Sequence, residues 1–313
     1  MRASFRTTYG LPEVLSIKDL AKPHAGDDDV LIRVYATTVN RSDYHVLTGK
    51  PFFMKLFTGI RSPKLSITGS DFAGQVEAVG KDVKRFKVGD KVMGFIDMGA
   101  QSHAEYLAMA ESKVTFAPSN LTYEETAACL EGAFYALCAI QPIKFQTAQT
   151  ALVIGATGAI GSSYVQFLSH YGVDVTAVCG GEYSYLVQSL GASRIIDYKK
   201  DDFRTITDRY DFVFDAVGKY TFGGCKHLLK DNGAYTSSHP NIFLALITPL
   251  LGGKKELFAI PKDVIKILNV IGDLAERGRF VPVIDRKYPL EKIAEAYTYV
   301  GSGQKIGNVV ITI

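Results

Sequence analysis

Ala151-Leu152-Val153-Ile154-Gly155-Ala156-Thr157-Gly158-Ala159-Ile160-Gly161 decides how the rest of this chain is read. Four apolar residues run into a glycine-spaced turn, and Ile160, Tyr164, Val165, Phe167 and Leu168 follow at roughly helical spacing. The pattern predicts a buried parallel strand, a tight turn and a helix start. Gly158 and Gly161 stand at the second and third glycine positions of the dinucleotide fingerprint, with Ala156 at the first. At the second position a missing side chain lets backbone approach a pyrophosphate; at the third it lets the helix pack close to its strand. The unpaired N–H groups and positive dipole end of the helix then favour phosphate. Ala156, Thr157, Gly158, Ala159 and Ile160 are the candidate contacts.

Glycines in a strand-to-helix turn can serve sterics alone, so the neighbouring sequence matters. Residues 174–179 read as a second strand closed by Gly180-Gly181, 182–190 as a helix stopped at Gly191, and 194–197 as a third strand. Residues 211–218, 233–238 and 256–260 read as further strands, and Pro261 opens a helix over 262–276 that stops at Gly278. This alternation is what a doubly wound nucleotide domain requires.

The remainder looks different. Residues 14–17, 30–36, 74–80 and 104–108 read as short strands, and 88–94 as a turn with strands on both sides, which predicts a small barrel-like β domain. Residues 42–47 make a helical turn near Gly49, and Thr122 with Glu125 forms a capping box at a boundary. A helix near 290–300 and a strand over 307–313 end the chain.

The 313 residues suffice for two domains with their own cores. A net charge of only +3 gives no basic excess for nucleic acid. Cys129, Cys138, Cys179 and Cys225 lack pairing or ligand spacing and read as reduced, mostly buried thiols. No signal-type apolar region follows Met1. The longest apolar run, 242–251, contains Pro249 and is too short to span a bilayer. A soluble cytoplasmic protein without membrane insertion is expected.

Several motifs, taken jointly, carry a family resemblance. They are Tyr9-Gly10 with Pro12-Glu13-Val14-Leu15, Val39-Asn40-Arg41-Ser42-Asp43, Gly69-Ser70-Asp71-Phe72-Ala73-Gly74 and Phe86-Lys87-Val88-Gly89-Asp90-Lys91-Val92. The glycine turn, Ser189-Leu190-Gly191-Ala192 with Ile195-Ile196-Asp197-Tyr198, and Gly307-Asn308-Val309-Val310 complete the set. Over essentially the whole chain this resembles the medium-chain dehydrogenase/reductase superfamily, and within it the zinc-free quinone oxidoreductase branch. The resemblance implies an α/β protein. A Rossmann-type doubly wound parallel sheet domain (122–278) is joined to a GroES-like β-barrel catalytic domain (1–121, completed by 279–313).

It also implies hydride transfer from NAD(P)H to a quinone or an α,β-unsaturated carbonyl compound. Two other readings stay open: a nucleotide-binding protein of structural or regulatory role with little turnover, and an alcohol or aldehyde dehydrogenase. The family's zinc-binding Cys and His positions match Asn40 and Ser70, whose amide and hydroxyl are poor zinc ligands, so no metal is expected. Preorganised donors must then stabilise the acceptor's developing charge. The resemblance puts Asn40, Asp43 and His45 beside the nicotinamide, with Tyr44 and Tyr135 as further hydroxyls. An Asx turn after a strand is the structural alternative for Asn40 and Asp43. Where the family carries Gly-x-Thr-Ala, this chain has Ala133-Phe134-Tyr135-Ala136.

Val217 and Asn308 join the implied cofactor contacts, as do Gly180, Gly181, Ser184 and Tyr198 near the ribose. Glu182 stands where NADPH users often carry Arg or Lys, and it would repel a 2′-phosphate. Cys179 replaces the ribose-binding Asp of NAD users, and Tyr198 matches a tyrosine of the 2′-phosphate pocket. The balance favours NADP(H) over NAD(H). Residues 50–64, with Phe52, Phe53, Met54 and Phe57, either line or cover an apolar pocket or pack without touching substrate. The apolar stretch 242–247 and a strand near Leu257-Phe258 suggest a homodimer formed through a sheet edge.

Overall fold

The computed structural model describes residues 1–97, 99–146, 148–258 and 263–313. In chain order the first elements are β1 (Arg2–Phe5), β2 (Ser16–Asp19), β3 (Asp29–Val39), α1 (Arg41–Thr48), α2 (Met54–Thr58), β4 (Asp71–Val79) and β5 (Lys91–Phe95). There follow β6 (Tyr106–Ala110), β7 (Thr115–Phe116), α3 (Tyr123–Ala128), α4 (Glu131–Ile140), β8 (Thr150–Ile154), α5 (Ala159–His170), β9 (Asp174–Cys179), α6 (Ser184–Ser189) and β10 (Arg194–Asp197). The last are β11 (Tyr210–Asp215), α7 (Phe222–Cys225), β12 (Leu229–Ser237), α8 (Ile242–Leu251), β13 (Lys255–Glu256), α9 (Val264–Glu276), β14 (Ile284–Pro289), α10 (Ile293–Ser302) and β15 (Asn308–Thr312). Two compact units emerge: Met1–Glu131 with Asp263–Ile313, and Gly132–Lys262.

The first unit is organised on β3, whose run of apolar and β-branched residues is buried on both faces apart from Arg33 and the partly exposed Asp29 and Tyr35. The sheet order is β14-β15-β3-β4-β5-β7, and β6 also pairs with β3. Val309 pairs with Val39, so the end of the chain lies alongside the end of β3. Leu47, Ile293, Ala296, Tyr297 and Val309 pack into one core at that end, which fixes α1 and α10 there.

Two helices decide where the units divide. Ala127 and Ala128 of α3 pack on Ala36, Ala73 and Val310, small residues that let the helix sit close to the sheet. Its capping box forms as the sequence predicts. On α9, Gly272 lies near Met93 and Pro118, and Glu276 accepts from Ser119. The compact division therefore falls at 131/132 and 262/263, whereas the sequence reading divides the chain at 121/122 and 278/279. The apolar faces of both helices find their partners only in the tertiary structure.

Other local expectations need correction. Residues 12–14 form a 3₁₀ turn started by Pro12, and the strand lies at β2 instead of 14–17. Gly89 does make a turn, at φ 94°, but a strand follows it only on one side, at β5. The parallel edge strand β14 went unread, because Ile284–Pro289 has no apolar alternation. The sequence reading's sixth strand is confined to β13 within the described residues. Residues 259–262, which it also assigned to that strand and to the next helix, lie outside them.

The second unit is a parallel sheet in the order β10-β9-β8-β11-β12-β13. The order reverses between β8 and β11, and in such sheets ligands bind outside the carboxyl ends of the strands at that point. All four cysteines are free and buried. Among the described residues no helix is long and apolar enough to cross a membrane.

Candidate functional site

The β8–α5 turn sits at the switch point. Gly155 takes φ 77°, a left-handed conformation that an L side chain resists, so it supplies the tight turn. A Cβ on Gly161 would lie 2.0 Å from the Gly155 carbonyl oxygen, so this glycine is required by close helix–strand packing. Gly158 is different. It caps α5 at φ −71°, and a Cβ there would meet nothing nearer than 3.6 Å. The fold itself has no need of a glycine at 158. The N-terminus of α5 carries the kind of donors and dipole that suit a pyrophosphate. Ala156, Thr157, Ala159 and Ile160 frame the same turn.

Asp215, at the end of β11, holds the adjoining edge. Fully buried, it accepts from the N–H groups of Val217, Gly218 and Tyr220, each at 3.0 Å. This places Val217 over Gly155. Sequence reasoning gave Asp215 no role, although an acid between a strand and Val-Gly is a recognisable turn signal.

At the end of β9, Gly180 and Gly181 begin a 3₁₀ turn, and Ser184 donates to the Gly181 carbonyl at 2.7 Å. Glu182 is not a lone charge: Lys199 donates to its carboxylate at 2.5 Å, which holds that carboxyl below its usual range. Lys200 lies 3.8 Å from Asp197, and Tyr198 is exposed. This rim thus carries two glycines, hydroxyls and two lysines, with Lys199 paired to Glu182 and Lys200 near Asp197.

The first unit holds a buried polar cluster at the β3–α1 junction. Asn40 caps α1; its N–H donates to Asp43 Oδ2 at 2.9 Å, and its side-chain amide donates to Thr38 Oγ1 at 2.6 Å. The structural reading of Asn40 and Asp43 is what these bonds show: a turn after β3 that caps α1 and buries the Asp43 carboxyl. Burial and then nearby Asp71 push the Asp43 carboxyl up to about 8, so it stays protonated at neutral pH. Asp71 accepts from Thr38 N at 2.8 Å, Thr38 Oγ1 at 2.5 Å and Thr37 Oγ1 at 3.1 Å. Burial raises it to about 6 against those donors. Glu131 accepts from Ser42 at 2.5 Å and Ser70 at 3.4 Å, and burial drives it well above the carboxylate range. His103, bonded to Thr68 and to the Thr38 carbonyl, is pushed down to about 4 by burial and stays neutral.

A cavity of about 380 Å³ opens beside this cluster, walled by Arg6, Asp43, Val46, Phe57, Thr68 and Tyr297, among others. Arg6 is 2 % exposed; one of its terminal nitrogens donates to the Val46 and Leu47 carbonyls, and its Nε has no partner. Asp43 and Val46 face the cavity three residues apart on α1. His45 is turned about 200° from Asp43 by helix geometry and is absent from that wall. Tyr135 belongs to the second unit, half-buried against Phe134. Asn308 is buried at the start of β15; its amide donates to Val283, and its Oδ1 is left without a partner. Sequence reasoning missed Arg6, Tyr297 and Glu131. A lone acid inside the apolar stretch 127–140 was the available signal for Glu131.

Among the described residues, no group of three His, Cys, Asp or Glu side chains is placed to hold a metal ion. At the two positions matched to family zinc ligands, the donors are the Asn40 amide, bonded to Thr38, and the Ser70 hydroxyl, bonded to Glu131.

Comparison with known proteins agrees with both units. Residues 26–143 match the alcohol dehydrogenase GroES-like domain, and residues 190–311 match a model described as zinc-binding dehydrogenase. A 2-methylene-furan-3-one reductase of Solanum lycopersicum is 32% identical, over 99% of this chain and 79% of its own length. An NADPH-dependent alkenal/one oxidoreductase of Arabidopsis thaliana is 30% identical with the same coverage. The fold of a quinone oxidoreductase from Coxiella burnetii matches with a TM-score of 0.87, over 100% of this chain and 99% of that one, at 24% identity. The chain belongs to the medium-chain dehydrogenase/reductase superfamily, in its quinone-oxidoreductase-like branch.

Proposed function

We infer that the protein is a zinc-independent, NAD(P)H-dependent oxidoreductase that transfers hydride to quinones or α,β-unsaturated carbonyl compounds. The observation that carries this reading is Gly158, a glycine the fold does not need, in a turn suited to a pyrophosphate. The two relatives named above, a furanone reductase and an alkenal/one oxidoreductase, support the acceptor class. A bound nicotinamide would supply the hydride. The chain's residues do the rest. The turn and the α5 N-terminus hold the diphosphate, and the Arg6 guanidinium gives the cavity a fixed positive charge. Asp43 holds a proton on its carboxyl below about pH 8, available to an acceptor that has gained hydride. Asn40 positions Asp43 by capping α1.

The test is cofactor oxidation with a panel of quinones and enals in the presence of a chelator. Turnover is expected, together with no stoichiometric zinc by elemental analysis. Tightly held zinc, with activity lost on chelation, contradicts the zinc-independent mechanism. NADPH binding without oxidation by any acceptor would favour a structural or regulatory role.

For the cofactor, we propose NADPH in preference to NADH. Gly180 and Gly181 leave room for a 2′-phosphate, and Ser184, Tyr198 and Lys200 can contact it. Pairing with Lys199 softens the repulsion from Glu182. Glu182→Arg removes that repulsion and frees Lys199, so NADPH affinity should rise about tenfold more than NADH affinity. Dissociation constants of both cofactors at fixed ionic strength decide this, and an equal shift in both would mean that residue 182 does not face the 2′ position.

We also propose a homodimer formed through the β13 edge. Helix α8 exposes Ile242, Phe243, Leu246 and Leu250 beside an open edge strand. Sedimentation at micromolar concentration should give a dimer mass, and a monomer would refute the pairing.

A further inference from the structure

Residues 44–70 carry Lys50, Lys55, Arg61 and Lys64 and no Asp or Glu. Within this stretch Phe52, Phe53, Leu56, Phe57 and Ile60 are 70, 54, 58, 62 and 64 % exposed. Five large apolar side chains within nine positions of the chain are all more than half in water, a density that singly scattered surface residues do not reach. The patch is held by an ordered base. Thr58 and Gly59 are buried, and the Tyr9 hydroxyl donates to the Gly59 carbonyl at 2.6 Å and lies 2.8 Å from Thr58 Oγ1. The Lys64 N–H donates to the Thr58 carbonyl at 2.8 Å, closing the loop, and the Lys55 ammonium lies 5.0 Å from the centre of the Tyr9 ring. The backbone is thus pinned while these five side chains stay exposed.

We propose that this face docks onto the surface of an anionic lipid bilayer. Aromatic and aliphatic residues at the tip, flanked by lysines and an arginine without a carboxylate between them, are the composition of an interfacial segment. The apolar groups enter the headgroup–acyl boundary, and the cations stay with the lipid phosphates. The charges also argue against a second copy of the same face, because a symmetric pair would bring four cations against four. The proposal does not rest on the reaction assigned above, though it bears on it. Phe57, Lys64 and Leu65 also wall the cavity that contains Asp43, so docking would bring that cavity to the phase in which apolar quinones dissolve.

The experiment sediments the full chain with vesicles of phosphatidylcholine and phosphatidylglycerol in equal parts, and with phosphatidylcholine alone. Binding to the mixed vesicles should be at least tenfold tighter and should weaken in 0.5 M salt, about fivefold for each cation neutralised. Phe52→Ser/Phe53→Ser and Lys50→Glu/Arg61→Glu replace exposed residues outside the cavity wall. Each pair should lower vesicle affinity at least tenfold, with circular dichroism and NADPH affinity unchanged. Failure to sediment with the mixed vesicles overturns the proposal, as do variants that bind like the natural protein. Self-association that the Phe52→Ser/Phe53→Ser pair abolishes, without vesicle binding, would assign the face to a second copy instead. Oxidation of NADPH by a water-soluble acceptor, measured in parallel, keeps a failure of docking separate from a failure of the assigned reaction.

Discussion

Replacing Gly158 with valine is expected to weaken NADPH binding at least a hundredfold, roughly 3 kcal/mol, while both units stay folded. The backbone at 158, φ −71° and ψ 170°, is extended and acceptable to a β-branched residue. A Cβ has 3.6 Å of clearance from the nearest protein atom, so the added bulk falls on the ligand. Gly161→Ala is the contrasting variant. Its Cβ would fall 2.0 Å from the Gly155 carbonyl oxygen, so α5 must shift and stability should fall with affinity. Fluorescence titration and urea denaturation of both variants separate the two roles. Undiminished NADPH affinity in Gly158→Val would leave the turn a purely steric device and withdraw the main support for a cofactor site.

The second large effect is on stability. Asp71→Ala removes the side-chain acceptor for the buried Thr38 N–H and Thr38 hydroxyl, while the Thr37 hydroxyl keeps its bond to the residue-71 backbone carbonyl. Leaving such donors unpaired should cost about 3 kcal/mol, read as a lower urea midpoint. The milder Asp71→Asn tests the charge. Burial raises the folded carboxyl to about 6, above its unfolded value near 4. The folded state therefore binds more protons across that window, and this group's contribution to stability is lost as pH rises from about 4 to about 6. The full loss is at most about 3 kcal/mol. His103, held near 4, works in the opposite direction over about the same range, because the unfolded state binds the extra proton. The difference between Asp71→Asn and the natural protein isolates the aspartate. Asp71→Asn should gain on the natural protein between pH 4 and pH 6, and a constant gap would mean that Asp71 stays ionised throughout.

The apolar run 151–154 and the glycines after it made the nucleotide unit legible before any coordinates, and the strands at 174–179 and 194–197 match their predicted bounds. These elements are set locally. A strand buried on both faces must be continuously apolar, and a tight turn requires glycine wherever φ is positive or backbone packs closely. Gly155, at φ 77°, obeys this rule, next to Ala156 at the first fingerprint position.

What the sequence determined by itself was the family, the dinucleotide turn and the β-rich character of the remainder. Each of these is written in residues adjacent in the chain. The tertiary structure decided which glycine of the turn is free for a ligand, because that depends on the distance from a missing Cβ to atoms brought close by folding. It also decided that Glu182 is paired with Lys199, that α3 and α9 belong to the first unit, and that Arg6, Asp43 and Tyr297 share one cavity. Arg6 and Tyr297 come from opposite ends of the chain. No local pattern records that Arg6 and Tyr297 share a wall, because α10 is brought there by pairing β15 with β3 and by packing into the core at that end.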